Sequence, residues 1–366
     1  MPNRLGIASM SLGRPGIHDL LSKLRAASAY GFQGMELFFD DLDHLAKTSF
    51  HGDHFAAAHH VHHVCTTLHI SIICLQPFWH YEGLLDRNEH KRLLTEKLPK
   101  WFKLAAILGT DLIQIPSNFL FPHPETGKPR TTGDMSVIVS DLQEIADLGL
   151  QQSPRVRFVY EALAWGNHIN KWEESYEIVE QVNRPNFGIC LDTFNIAGRV
   201  YADPTCPTGK TPNADADLQA SLALLRSRVD LSKVFYVQIV DGERLSAPLN
   251  ESHPFYVQGQ PSRMSWSRNA RLFAFEEDRG GYLPVLDVAK AFFDIGFEGW
   301  VSLELFNRSL ADPDPTTPRS HAKRGFESWK KLVSALGLDT GVTSSVPNLD
   351  GTFSYPTSSL PVQHRL

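Results

Sequence analysis

Short apolar runs recur along this chain, each closed by turn-forming residues, and segments with helical periodicity lie between them. Phe187-Gly-Ile-Cys-Leu191 is such a run, with Pro185 before it and Asp192 at its end. A continuous apolar run of about five residues predicts a strand buried on both faces, as in a parallel sheet. The pattern repeats in Arg157-Phe-Val-Tyr-Glu161, in Val234-Phe-Tyr-Val-Gln238 and in Trp300-Val-Ser-Leu-Glu304. Earlier runs predict four more strands at Leu5–Ser9, Gly34–Phe38, Ile70–Leu75 and Leu112–Pro116. Helices are predicted at Gly16–Tyr30, Asp53–Leu68, Asn88–Leu108, Asp134–Leu148, Asn170–Gln181, Asn213–Val229, Pro284–Phe293 and Pro318–Leu336.

Strict alternation of about eight strands with eight helices predicts an α/β fold, the (β/α)8 TIM barrel. We expect one domain over residues 1–336. A long loop after the seventh strand, Asp241 to Tyr282, interrupts it and carries several arginines. Loops of that length in compact domains are usually functional or disordered, and the arginines favour function. From Gly337 to Leu366 the chain turns to Ser, Thr, Pro and Gly without periodicity, which predicts a disordered tail.

The polar residues closing these strands bring in chemistry. Glu161, Asp192, Gln238 and Glu304 each stand at the C-terminal end of a predicted strand, the end where α/β barrels keep their sites. Singly, each has an ordinary reading as a helix cap or a surface charge. Together, three carboxylates and an amide carbonyl make an all-oxygen site for a hard divalent cation: Mg²⁺, Mn²⁺ or Co²⁺ rather than Zn²⁺. Glu36 lies among apolar residues within the second strand, so burial requires a partner for it, either beside the metal site or in an ion pair. His51, His54, His59, His60, His62, His63 and His69 crowd one helix and its flanks. No cysteine or acid completes a zinc set with them, and they read as solvated helix surface.

Composition narrows the class further. A length of 366 residues with 42% hydrophobic residues supports a large core, and a formal charge of −6 argues against a nucleic-acid surface. Cys65, Cys74, Cys190 and Cys206 show no metal or redox spacing and suit a reducing compartment. Cys190 sits beside Asp192 and is expected to pack rather than react. No signal peptide or membrane span is read, so a cytoplasmic protein is expected; a homo-oligomer stays open.

Several motifs carry a resemblance: Gly34-Met-Glu-Leu-Phe38, Cys74-Leu-Gln-Pro-Phe78, Ile113-Gln-Ile-Pro116, Leu191-Asp-Thr-Phe-Asn-Ile-Ala-Gly-Arg-Val-Tyr201 and Met264-Ser-Trp-Ser-Arg268. On these the chain resembles the fungal quinate-pathway 3-dehydroshikimate dehydratases, a branch of the xylose-isomerase-like metal-dependent barrels, over residues 1 to about 335. The resemblance implies dehydration of the small-molecule substrate 3-dehydroshikimate to protocatechuate, with metal ligands at Glu161, Asp192, Gln238 and Glu304. Asn195 stands where bacterial members place a histidine, and Trp79 where they tend to have an arginine. Asn195 and Glu36 are therefore carried as candidate catalytic groups. Arg268, read as a loop residue, is the candidate for the substrate's carboxylate, since a guanidinium pairs with a carboxylate through two parallel hydrogen bonds. Rival readings are a sugar epimerase or isomerase on the same metal barrel, a three-zinc apurinic endonuclease, and a catalytically inactive sensor or scaffold. The crowding of histidines on one helix weighs against the endonuclease.

Overall fold

The computed structural model describes residues 2–341. Eight parallel strands close into a barrel: β1 (Arg4–Ala8), β2 (Gly34–Phe38), β3 (Ser71–Gln76), β4 (Leu112–Pro116), β5 (Arg157–Glu161), β6 (Phe187–Asp192), β7 (Val234–Gln238) and β8 (Trp300–Leu303). Each strand pairs with its sequence neighbours, and β8 pairs with β1 to complete the ring. All eight predicted strands lie where the apolar runs put them, to within a residue or two. The predicted tail lies largely outside the described residues. Its first residues, 337–341, are tied down, because the Asn3 amide donates to the Asp339 carbonyl at 2.7 Å.

The helices follow their local signals. Asp19, Asp53, Asp86 and Asp134 each cap a helix by accepting amide hydrogens of its first turn. Gly109 ends the helix Leu98–Leu108 in the left-handed region at φ 75. The predicted Asn88–Leu108 helix is continuous, with a wider π turn over Leu93–Lys97. Three further helices, Phe39–Ser49, Thr193–Val200 and Ser262–Ala270, lie outside the predicted ones, the last within the expected long loop. All three follow strand ends or lie in the long loop, where tertiary packing sets the conformation.

The segment after β7 is folded, and it carries Arg268. Asp241–Gly242 pairs antiparallel with Arg271–Leu272, which closes the loop into a ribbon, and the helix Ser262–Ala270 precedes the return strand. Arg268 thus stands in the last turn of a helix rather than in a loop. Trp266 on the same helix is fully buried, 4.5 Å between centroids from Phe194, and its indole donates to the Glu243 carbonyl at 2.8 Å. A Cβ at Gly242 would lie 2.6 Å from the Trp266 ring, so only glycine lets the ribbon approach this closely.

Strand alternation sorts the barrel interior into layers, because side chains two apart share a face. Cys74, Val159, Cys190 and Tyr236 belong to one small apolar cluster. Two residues later on the same strands stand Gln76, Glu161, Asp192 and Gln238. A polar layer therefore lies on an apolar floor, at the C-terminal end of the strands.

Candidate active site

Glu161, Asp192 and Glu304 converge in this polar layer. All three are buried, and each offers a carboxylate oxygen within 4.8 Å of those of the other two. Register explains the meeting. Asp192 pairs with Gln238 across β6 and β7, Ser302 pairs with Gln238 across β7 and β8, and Glu304 follows Ser302 by two. Gln238 joins the group from between two of them. Its amide nitrogen donates to Glu36 at 2.9 Å, while its side-chain oxygen Oε1 is buried without a hydrogen-bond partner among the described residues.

Neutral amides hold the acids in place. Asn195 donates through Nδ2 to Glu161 at 2.7 Å and to Asp192 at 2.8 Å, and its Oδ1 accepts from the Ala164 amide at 3.0 Å. Gln114 donates to the other Glu161 oxygen, and Gln76 donates to Glu36 at 2.8 Å and to Glu304 at 3.3 Å. Among the described residues Glu36 forms no ion pair. One of its oxygens accepts from Gln76, Gln238 and the Tyr236 hydroxyl (2.8 Å), and the other is buried beyond hydrogen-bond geometry of any described residue.

The three comparisons agree on where this arrangement belongs. The family described as "Xylose isomerase-like TIM barrel" matches residues 24–332. A 3-dehydroshikimate dehydratase of Neurospora crassa is 53% identical over 350 residues, covering 92% of this chain and 96% of that protein. The chain belongs to the xylose isomerase-like TIM barrels, in the family of that fungal dehydratase. Among solved structures, a xylose isomerase-like TIM barrel/4-hydroxyphenylpyruvate dioxygenase fusion protein superposes with TM-score 0.68 at 26% identity; it matches 92% of this chain, which spans 43% of that one. The IolI protein, crystallised with a bound zinc atom, shares the fold at TM-score 0.65 and 18% identity over 90% of this chain and 98% of its own.

In this member of the dehydratase family the polar layer opens into a cavity of about 500 Å³. Glu161, Glu304, Gln76 and Gln114 form its polar side, and Trp79, Phe119 and Trp165 its aromatic side. The Phe119 ring meets Trp79 edge-on at 5.1 Å and Trp165 at 6.4 Å. His80 lines the cavity against Phe119, and burial lowers its pKa to about 4, so it is neutral at pH 7. Arg268 lines the cavity as well; its guanidinium donates to the Gln260 side-chain oxygen Oε1 at 2.9 Å.

The carboxylates stand in an environment that resists their charge. Burial first, and then the neighbouring acids Glu304 and Asp192, push Glu161 well above the usual carboxylate range. Burial raises Glu304 and Asp192 too, against the pull of Arg271. Glu36 is raised to about 7, chiefly by burial. One of the arginines of the long loop, Arg271, reaches the acids. Its guanidinium, 1% exposed, reaches Asp192 at 3.0 Å and Glu304 at 3.1 Å between the rings of Phe194 and Phe306. No local signal marks it, because the ribbon after β7 delivers it. Gln76 and Gln114 were within reach of the sequence, since each is a polar residue at or beside the end of an apolar run.

The other candidates lie elsewhere. His59, His62 and His63 are exposed on the outer helix, and among the described residues they join no metal-ligating cluster. Cys65, Cys74 and Cys190 are buried free thiols, and Cys206 is a half-buried one. Burial pushes the Cys190 thiol well above its ordinary value, which suits packing and not nucleophilic chemistry.

Proposed function

We propose that this chain converts 3-dehydroshikimate to protocatechuate and water as a metal-dependent hydro-lyase. The observation that carries the reading is the end-to-end likeness to the Neurospora dehydratase. The site chemistry supports it. Three buried carboxylates and the unpartnered Gln238 carbonyl form an all-oxygen donor set that fits a hard divalent cation, Mg²⁺, Mn²⁺ or Co²⁺. Glu161, Asp192, Gln238 and Glu304 would hold it, and it would supply Lewis-acid stabilisation of a developing enolate oxygen, worth several kcal/mol.

The substrate is an enone with a ring hydroxyl β to an acidic carbon. Loss of that carbon's proton leaves an enolate, the β-hydroxyl departs as water, and tautomerisation makes the ring aromatic. The chain's residues set the stage for these steps. Asn195 and Gln114 orient Glu161, and Asn195 and the Phe194 amide orient Asp192. Both Asn195 amide hydrogens go to carboxylates, so we assign it a positioning role. Glu36 fixes the Gln238 amide by accepting from its nitrogen, which turns the carbonyl oxygen towards ligation. Arg271 offsets part of the charge of three crowded acids. The aromatic side of the cavity gives the ring an apolar surface and excludes water. Arg268 binds the substrate's carboxylate, with guanidinium hydrogens beyond the one Gln260 takes.

We place the reaction in quinate catabolism and in the cytoplasm; the buried free thiols support a reducing compartment. No helix among the described residues is long and apolar enough to cross a membrane. Purified protein given Mg²⁺, Mn²⁺ or Co²⁺ and 3-dehydroshikimate is expected to release protocatechuate, followed by its aromatic absorbance, and to leave ketohexoses unchanged. Epimerised ketohexose without aromatic product would replace this reading with a sugar epimerase.

A further inference from the structure

The cavity holds one more cation that the chemistry above leaves unused. Arg14 lines it, on the turn that follows β1. Each other basic group there already has a role or is neutral. Arg271 is committed to Asp192 and Glu304, Arg268 gives one hydrogen bond to Gln260, and His80 is uncharged at pH 7. The Arg14 guanidinium has no hydrogen-bond or ion-pair partner among the described residues, although the side chain is half-buried. Asp40 lines the same cavity and forms no ion pair with it.

The backbone under Arg14 is held firmly while its side chain is left free. The Arg14 amide donates to the Leu310 carbonyl at 3.2 Å, and its carbonyl accepts from the Ile17 and His18 amides at 3.2 and 3.0 Å. Gly13 beside it has φ 145, and a Cβ there would sit 2.4 Å from the His18 ring. A fixed backbone carries an unpaired guanidinium into the cavity, so a bound anion need order only the side chain. Topology adds a second point. The barrel order is β7, β8, β1, so the segments after β7 and β1, which bear Arg268 and Arg14, flank the strand that leads to Glu304. In the dehydratase reading the ring oxygens at the reacting carbons face the acids, and the substrate's carboxylate, across the ring from them, faces these two cations.

We propose that Arg14 is a second guanidinium on the substrate's carboxylate, acting with Arg268 and setting the specificity for acids over neutral rings. The inference rests on the dehydratase reading of the site. Protocatechuate and catechol test it, because they share the same diol and differ only in the carboxylate. Trp79 and Trp165 line the cavity and report binding of either by quenching. Arg14→Gln is expected to weaken protocatechuate roughly 10- to 100-fold, on the scale of charged hydrogen bonds, with catechol within about twofold of wild type. Arg14→Lys is expected to recover part of the loss, and Arg268→Gln to act in the same direction. In turnover, Arg14→Gln is expected to raise KM for 3-dehydroshikimate by a similar factor, with kcat within about threefold. Its unpaired side chain predicts an unchanged melting temperature, which separates this effect from misfolding. Protocatechuate binding by Arg14→Gln within twofold of wild type would overturn the inference and leave the dehydratase reading standing. Wild-type protein that binds neither diol would overturn both.

Discussion

Arg271 and Asn195 show how single residues complete this site. Neither is expected to bind a cation, yet each touches two of the residues that would. In the proposed reading the ligands are distinct from the residues that support them, and the two groups are expected to respond differently to mutation. Asp192→Ala and Glu304→Ala each remove a carboxylate from a set of three, and are expected to lose bound metal and roughly 1000-fold or more in turnover. Asn195→Ala leaves all three carboxylates but frees Glu161 and Asp192 from their shared donor. Its expected loss is about 10- to 100-fold in metal affinity, as for other groups that orient ligands. Metal content after dialysis and steady-state rates separate the two classes. Wild-type metal content in Glu304→Ala would remove that residue from the ligand set.

The element that matters most is the folded segment after β7. Asp241 holds its base, with Oδ1 accepting from the amides of Gly242 at 2.6 Å, Leu283 at 2.8 Å and Tyr282 at 3.2 Å. Burial raises the Asp241 pKa to about 7 despite these bonds. An acid whose pKa is higher folded than unfolded favours the native state while protonated. That contribution is present at low pH and is lost as pH rises from about 4, the unfolded value, to about 7. Its slope is on the order of 1 kcal/mol per pH unit in that window. Asp241→Asn keeps an acceptor oxygen without the charge. It is expected to match wild type near pH 4 and to be the more stable protein at pH 8, by thermal or urea unfolding. Equal pH slopes for the two proteins would show that Asp241 stays ionised in the fold.

At the scale of the whole molecule, closing the barrel gathers acids from β5, β6 and the end of β8 at one pole. The cost is mutual repulsion in a desolvated layer, which only partly falls on Arg271. The proposed cation would act on stability as well as on rate, because it would bind the folded state and not the unfolded chain. At about 100 times its dissociation constant the gain is roughly 2.7 kcal/mol. Mg²⁺, Mn²⁺ or Co²⁺ is therefore expected to raise the melting temperature of chelator-stripped protein by several degrees, about 2 to 4 °C per kcal/mol at most for a chain of this size, and to restore activity in parallel. Activity that survives complete stripping, with no thermal shift on adding metal, would remove the cation from the reading.

Much of this was legible in the sequence, because the strong signals are local. An apolar run ended by a polar residue marks a buried strand and its C-terminal tip without knowledge of its neighbours. That is how eight strands, the barrel, and the positions of Glu161, Asp192, Gln238 and Glu304 could be read in order. Helix caps such as Asp53 and Gly109 are equally local. What tertiary structure alone decided are the relations between distant segments. The Gln238 nitrogen is committed to Glu36, 202 residues away, while its oxygen is left without a partner. Arg268 stands on a helix and Arg271 among the carboxylates because Trp266 and Gly242 pack the loop against Phe194, a contact with no periodicity to announce it. Periodicity records which face of an element is buried; which charges then meet is fixed only when the ring closes and each loop finds its place on it.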